Sequence, residues 1–260
     1  MKKFSSFLIV LLLMLASFTA GMEYPRGDVS QDGQVNISDV TCLIDYLLTG
    51  TWPDEPVTPP DEHEWVDLGL PSGTLWATCN VGANAPEEYG DLFAWGETEP
   101  KEDYYWETYK WCNGTEDSLT KYCIQSDHGY NGFVDNKTEL DLEDDAAYVN
   151  WGPSWCMPTA EQQKELYENC SSALTTMNDV NGRLFTGPNG NTLFLPAAGC
   201  SWYGSLYDVG SNGYYWSRTL FPSNSSRAYN LYFYSTGKMG CARSYRLYGY
   251  TVRAVRVSQD

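Results

Sequence analysis

Between Asp28 and Asp39 the chain spaces oxygen-bearing side chains as a hard cation needs them. Asp28, Ser30, Asp32, Asn36 and Asp39 fall at positions 1, 3, 5, 9 and 12 of a twelve-residue stretch. Gly33, at position 6, permits a sharp turn, and Gln34, at position 7, offers its backbone carbonyl. Calcium takes about six to eight oxygens, and this spacing wraps them round one point, with Asn36 suited to acting through a water. Calcium is therefore the expected cofactor.

A second chemistry lies in a crowd of rings. Trp202, Tyr203, Tyr207, Tyr214, Tyr215 and Trp216 share a Gly/Ser-rich stretch. Aromatic faces pack against the apolar faces of sugars, and nearby polar groups fix orientation. Most of these rings are expected in the core. Trp202 and Tyr203, expected in a loop after Pro196-Ala197-Ala198-Gly199, are the predicted ligand contacts.

Catalytic sets are scarce. Ser-His-Asp catalysis needs His63 or His128, the only histidines; the first sits at a linker end and the second in a turn-like context. No Gly-x-Ser-x-Gly elbow occurs. Eight cysteines include no C-x-x-C, which disfavours zinc and thioredoxin-like redox chemistry. Disulfides are permitted, but their pairing is not readable from the chain. The stretch Glu139 to Asp145 holds five acids; it reads as a solvated acidic loop, with cation binding as the alternative. Paired carboxylates for glycoside hydrolysis meet only in a fold, and no motif singles out a pair.

The elements that position these residues follow from pattern. Val40, Leu43, Ile44, Leu47 and Leu48 form one apolar helix face directly after the calcium loop, stopped by Gly50. Before the loop, Lys2 and Lys3, the apolar run Phe7 to Leu15 and the small residues Thr19, Ala20 and Gly21 predict a cleaved signal peptide over 1–21. That run is too short to span a bilayer comfortably, so export without a transmembrane anchor is expected, to the periplasm, the cell surface or the medium. The calcium module then occupies 22–50, and the proline-rich stretch 51–63 reads as a semi-rigid linker. A large domain fills 64–260.

In that domain Trp65–Leu70 and Thr74–Asn80 flank Pro71-Ser72-Gly73 as a predicted hairpin. Gly213–Leu220, Ala228–Tyr234 and Tyr250–Val257 read as strands. In the second of these, Tyr229, Leu231 and Phe233 should face one way and Asn230, Tyr232 and Tyr234 the other. Thr159 and Gln162 have capping-box spacing at the start of a helix over Ala160–Cys170. The whole chain carries 16 basic and 34 acidic side chains, a net charge of −18. Loss of Lys2 and Lys3 with the signal brings it near −20, which repels nucleic acid and anionic membranes.

The stretch from Gly27 through Leu48 resembles a single type I dockerin repeat, an EF-hand-like loop followed by a helix. Dockerins carry two such repeats and bind cohesin partners. A second start, Asp179-Val180-Asn181-Gly182, has Arg183 where the next Asp is needed. The resemblance thus implies calcium binding and a cohesin-like or other protein partner for the module.

The large domain carries Val66-Asp67-Leu68-Gly69-Leu70-Pro71-Ser72-Gly73-Thr74-Leu75-Trp76-Ala77, Gly90-Asp91-Leu92-Phe93-Ala94-Trp95-Gly96-Glu97, Trp155-Cys156-Met157-Pro158-Thr159, Leu195-Pro196-Ala197-Ala198-Gly199 and Gly249-Tyr250-Thr251-Val252-Arg253 in order. This resembles the Fibrobacter succinogenes major paralogous domain family, common in exported proteins of gut Bacteroidetes. The resemblance implies an α+β, C-type-lectin-like fold, rich in short strands and long loops and shared with formylglycine-generating enzymes. The latter use paired cysteines near their C-terminal end; here Cys241 has no near neighbour. The Glu-Pro-Asn, Gln-Pro-Asp and Trp-Asn-Asp tripeptides of calcium-dependent lectins are absent. The expected function is non-enzymatic binding or adhesion to a glycan or protein ligand. The alternatives are a dockerin-tagged oxidase or glycoside hydrolase, or an assembly subunit recruited through the calcium module.

Overall fold

The computed structural model describes residues 63–256 together with Val40, Leu43 and Ile44. The chain divides into two compact units, Met1–Glu62 and His63–Asp260. In the first, Val40, Leu43 and Ile44 are helical, and Val40 and Ile44 are each 49% exposed. The signal segment, the six calcium-loop residues and the linker stretch lie outside the described residues.

The second unit is a β-rich α+β structure. In chain order it runs β1 (Trp65–Asp67), β2 (Leu75–Ala77), α1 (Ala146–Trp151), β3 (Trp155–Cys156), α2 (Ala160–Asn169), β4 (Ser171–Met177), β5 (Val180–Thr186), β6 (Thr192–Pro196), β7 (Cys200–Trp202), β8 (Ser205–Tyr207), β9 (Gly213–Leu220), β10 (Arg227–Phe233), β11 (Met239–Tyr245) and β12 (Val255–Arg256). The strands form four antiparallel sheets, ordered β1-β2-β12-β3, β4-β5-β6, β11-β10-β9 and β7-β8.

Several elements form for reasons readable in the chain. Pro71-Ser72-Gly73 turns β1 into β2, with Val66 opposite Trp76. Thr159 caps α2: its hydroxyl accepts from the Gln162 amide at 3.1 Å, while Gln162 Oε1 accepts from the Thr159 amide at 2.8 Å. In β10, Leu231 and Phe233 face the core that includes Leu166 of α2, and Asn230 and Tyr232 face the other way.

Two expectations are corrected, and Asp179, which Arg183 already disqualifies as the start of a second calcium loop, is placed in a turn. Asn178 and Asp179 both have positive φ, 47° and 64°, and form the two-residue turn between β4 and β5. Such a pair matches the right-handed twist of a hairpin, and Asn and Asp tolerate the left-handed region. The stretch from Tyr250 to Val257 is not one strand, because its backbone is shared among several neighbours. Tyr250 pairs with Phe93, Thr251 with Tyr214 and Trp216, Val252 with Val81, and Ala254 with Ala77. Among the described residues of this stretch only Val255–Arg256 forms a strand.

The second correction concerns Glu139 to Asp145, which is solvated only in part: Glu139 and Glu143 are exposed, whereas Asp144 is 2% exposed and Asp145 fully buried. The Asp145 carboxylate caps α1, accepting from the amides of Ala147 and Tyr148 at 3.0 and 3.1 Å and from Met157 through both oxygens at 3.0 and 2.9 Å.

Residues 78–145 contain no named strand or α-helix, yet they are packed. Trp95, Tyr104, Tyr109 and Tyr122 are buried along this stretch. Its carbonyls need donors where no ladder supplies them. Arg246, fully buried, is one such donor, to Lys121 O and Tyr122 O at 3.1 Å each.

Candidate ligand-binding site

Strand periodicity sorts the sheet β11-β10-β9 into two faces. Tyr215, Leu231 and Phe233 pack with Leu166 of α2. Tyr214, Asn230, Tyr232, Ala242 and Ser244 face the opposite side, where a cleft of about 440 Å³ opens. The β7-β8 hairpin contributes Cys200, Trp202 and Tyr207, and Asp208 follows directly. The C-terminal segment adds Tyr248 and Tyr250. Gly199 lets the hairpin close down at φ 70°, for a Cβ there would collide with the Tyr207 carbonyl.

The rings form a continuous lining. Trp202 lies 5.2 Å from Tyr207 and 5.6 Å from Tyr248. Tyr214 stacks on Tyr250 at 5.0 Å, and Tyr232 leans on Tyr234 at 4.8 Å. Beneath them runs a hydroxyl relay. Tyr250 donates to Ser244 Oγ at 3.0 Å, and Ser244 donates to Asn230 Oδ1 at 3.1 Å. That orientation leaves the Asn230 amide nitrogen with no hydrogen-bond partner among the described residues, although Asn230 is 1% exposed. Tyr214 donates to Asp208 Oδ2 at 2.8 Å. Burial, then that bond, pushes the Tyr214 hydroxyl well above its ordinary pKa.

The six crowded aromatics therefore separate. Tyr215 and Trp216 are core, at 1% and 0% exposure. Trp202, Tyr207 and Tyr214 line the cleft. Trp202 ends strand β7 rather than lying in a loop, and Tyr203 begins the turn to β8 at φ 48°. Tyr203 is 54% exposed and contacts Trp202 and Tyr105 at 5.1 and 5.3 Å; it sits beside the cleft, not in its lining. Tyr232, Tyr234, Tyr248, Tyr250, Asn230 and Asp208 were not singled out by sequence. The alternation of β10 already places Tyr232 and Tyr234 together, but only the strand order brings them to Trp202.

Other candidate chemistry is accounted for within the fold. Asp141, Glu143 and Asp144 approach one another closely enough for a metal, but the Lys121 ammonium already sits among them at 2.9, 3.1 and 2.6 Å. Hydrogen bonds from Lys137 and then Lys121 hold the Asp141 carboxyl down at about 2. His128 Nδ1 lies 2.9 Å from Asp117, and His63 stacks on Trp151 at 3.8 Å. The seven described cysteines are all free thiols. Burial pushes Cys156 and Cys200 up to about 11 and about 12, so both stay protonated and weakly nucleophilic at neutral pH. The cleft itself holds one carboxylate, Asp208, where two-carboxylate glycoside hydrolysis needs a facing pair.

Among the described residues no helix is long and apolar enough to cross a membrane. Comparison with family models, with curated proteins and with solved structures finds no match to this chain.

Proposed function

We propose that the chain is an exported binding protein whose aromatic cleft recognises a glycan. The observation that carries this reading is the combination of ring faces with directional polar groups in one concave site. Trp202, Tyr207, Tyr232 and Tyr248 offer faces for the apolar side of a sugar, Asn230 offers an unengaged donor, and Asp208 offers an acceptor. The C-type-lectin-like assignment and the kinship with the major paralogous domain family are supported by the order of the motifs in the chain.

In this reading Asp28, Ser30, Asp32, Gln34, Asn36 and Asp39 hold calcium in the N-terminal module, where the ion rigidifies a short loop and its helix. The half-exposed Val40 and Ile44, one turn apart, favour a second role for that module as a docking face for a protein partner.

A broad glycan array, probed with the mature protein in calcium and again in chelator, tests the division of labour. Binding is expected in both conditions, because the polar groups of the cleft are an amide, hydroxyls and one carboxylate rather than a metal-ligand set. Binding that vanishes with chelator would move recognition to the calcium loop. A blank array in both conditions would overturn the glycan reading.

A further inference from the structure

We propose that the ligand of this cleft carries a positively charged amino group, seated against the Asp208 carboxylate and the neighbouring rings; the inference rests on the glycan reading above. Of the lining residues only Asp208 and Arg243 are charged. Arg243 pairs with Tyr229 in the β10-β11 ladder, on the face opposite Ala242 and Ser244. Its guanidinium lies over Phe221, 5.3 Å from the ring centre, and Phe221 in turn meets Tyr229 edge-on at 5.5 Å. Arg243 therefore lines the cleft through its backbone and leaves the Asp208 charge unbalanced.

Asp208 is exposed and forms no ion pair among the described residues. Its one hydrogen-bonded carboxylate oxygen, Oδ2, accepts from Tyr214, and Oδ1 stays open. The carboxylate is held in place, because Asp208 sits at φ 61° with its carbonyl accepting from Ser211 and Asn212 at 2.9 and 3.0 Å. Aromatic faces add partial negative charge where a cation approaches. Trp202, Tyr207, Tyr214, Tyr232 and Tyr234 supply such faces within one site. Burial first, and the Asp208 charge second, raises the Cys200 thiol. The whole chain is acidic as well, which steers cations toward it and uronic or sialic acids away.

The shared chemistry is an ammonium group, whether on an amino sugar or on a small quaternary amine. Isothermal titration of the mature protein with three probes separates the sources: a β-linked glucosamine oligomer, its fully N-acetylated counterpart, and tetramethylammonium. The glucosamine oligomer is expected to bind at least about tenfold more tightly than the N-acetylated one. Asp208→Asn, which keeps the shape and tolerates the left-handed backbone, should erase that difference. Equal or tighter binding of the N-acetylated oligomer would overturn the charge inference and leave the glycan reading standing. Asp208-dependent binding of tetramethylammonium alone would support the ammonium site and overturn the glycan reading. No binding of any probe would overturn the inference outright.

Discussion

Arg246→Met should destabilise the large unit by about 4 kcal/mol, read as a lowered urea midpoint of its unfolding transition. Arg246 is fully buried and meets no carboxylate among the described residues. Its guanidinium instead donates to Tyr109 Oη at 2.8 Å, Tyr122 O at 3.1 Å, Ser225 O at 3.0 Å and Lys121 O at 3.1 Å. It also lies 4.8 Å from the Trp95 ring centre and 5.2 Å from that of Tyr109. The three carbonyls belong to loops with no sheet ladder to satisfy them. Met fills much of the volume but strands those acceptors, each at about 1–3 kcal/mol before relaxation. Arg246→Lys should not rescue the loss, because a compact ammonium cannot reproduce a planar fork with five donors. A cost below about 1 kcal/mol for Met would mean that the loop carbonyls have other partners.

Asp145→Ala should cost about 3 kcal/mol, by the same measurement. The side chain closes three amides at once, two at the start of α1 and one at Met157, the residue just after β3. Burial raises the Asp145 carboxyl from its ordinary pKa, against the pull of the Met157, Tyr148 and Ala147 amides. Truncation leaves those buried donors without an acceptor and removes the N-cap from a helix of only six residues. Asp145→Asn should recover part of the loss, since one amide oxygen still accepts at the cap while the NH2 group faces the Met157 donor. Equal stability of wild type and the Ala variant would show that α1 and the β3 end are not joined through this carboxylate.

What could be read from the chain follows from where the physics is local. The alternation in Gly213–Leu220 and Ala228–Tyr234, broken by Pro222 and by Ser235 and Gly237, locates β9 and β10 almost to the residue. Thr159 and Gln162 locate α2 through bonds that span three residues. The helix α1 escaped because a single buried acid, not apolar periodicity, organises it. The acids of 141–144 look solvated in one dimension. In three, Lys121 arrives from more than a dozen residues upstream and fills the space a cation would take. The segment from Tyr250 has the composition of a strand, but its hydrogen bonds are dispersed among Ala77, Val81, Phe93, Tyr214 and Trp216, which no local pattern records.

The cleft was half legible. Crowded rings between Trp202 and Trp216 marked the region, and strand alternation explains why Tyr214 reaches the cleft while Tyr215 goes to the core. Trp216 shares the Tyr214 face but lies deeper, donating from its indole to Phe93 O at 2.9 Å. Tyr232, Tyr234 and Tyr248 join only through the order β11-β10-β9 and the return of the C-terminal segment beside Ser201. Within this cleft the sequence's many carboxylates and thiols are represented by Asp208 and Cys200 alone.

The most direct test titrates the glycan that scores highest on the array against the mature protein and its Trp202→Ala variant, with near-ultraviolet circular dichroism confirming that the variant keeps its fold. Trp202 touches Tyr203, Tyr207 and Tyr248 at the centre of the ring lining, so its loss should weaken binding by about 30-fold or more. Unchanged affinity in a folded variant would contradict the claim that this cleft is where the protein recognises its ligand.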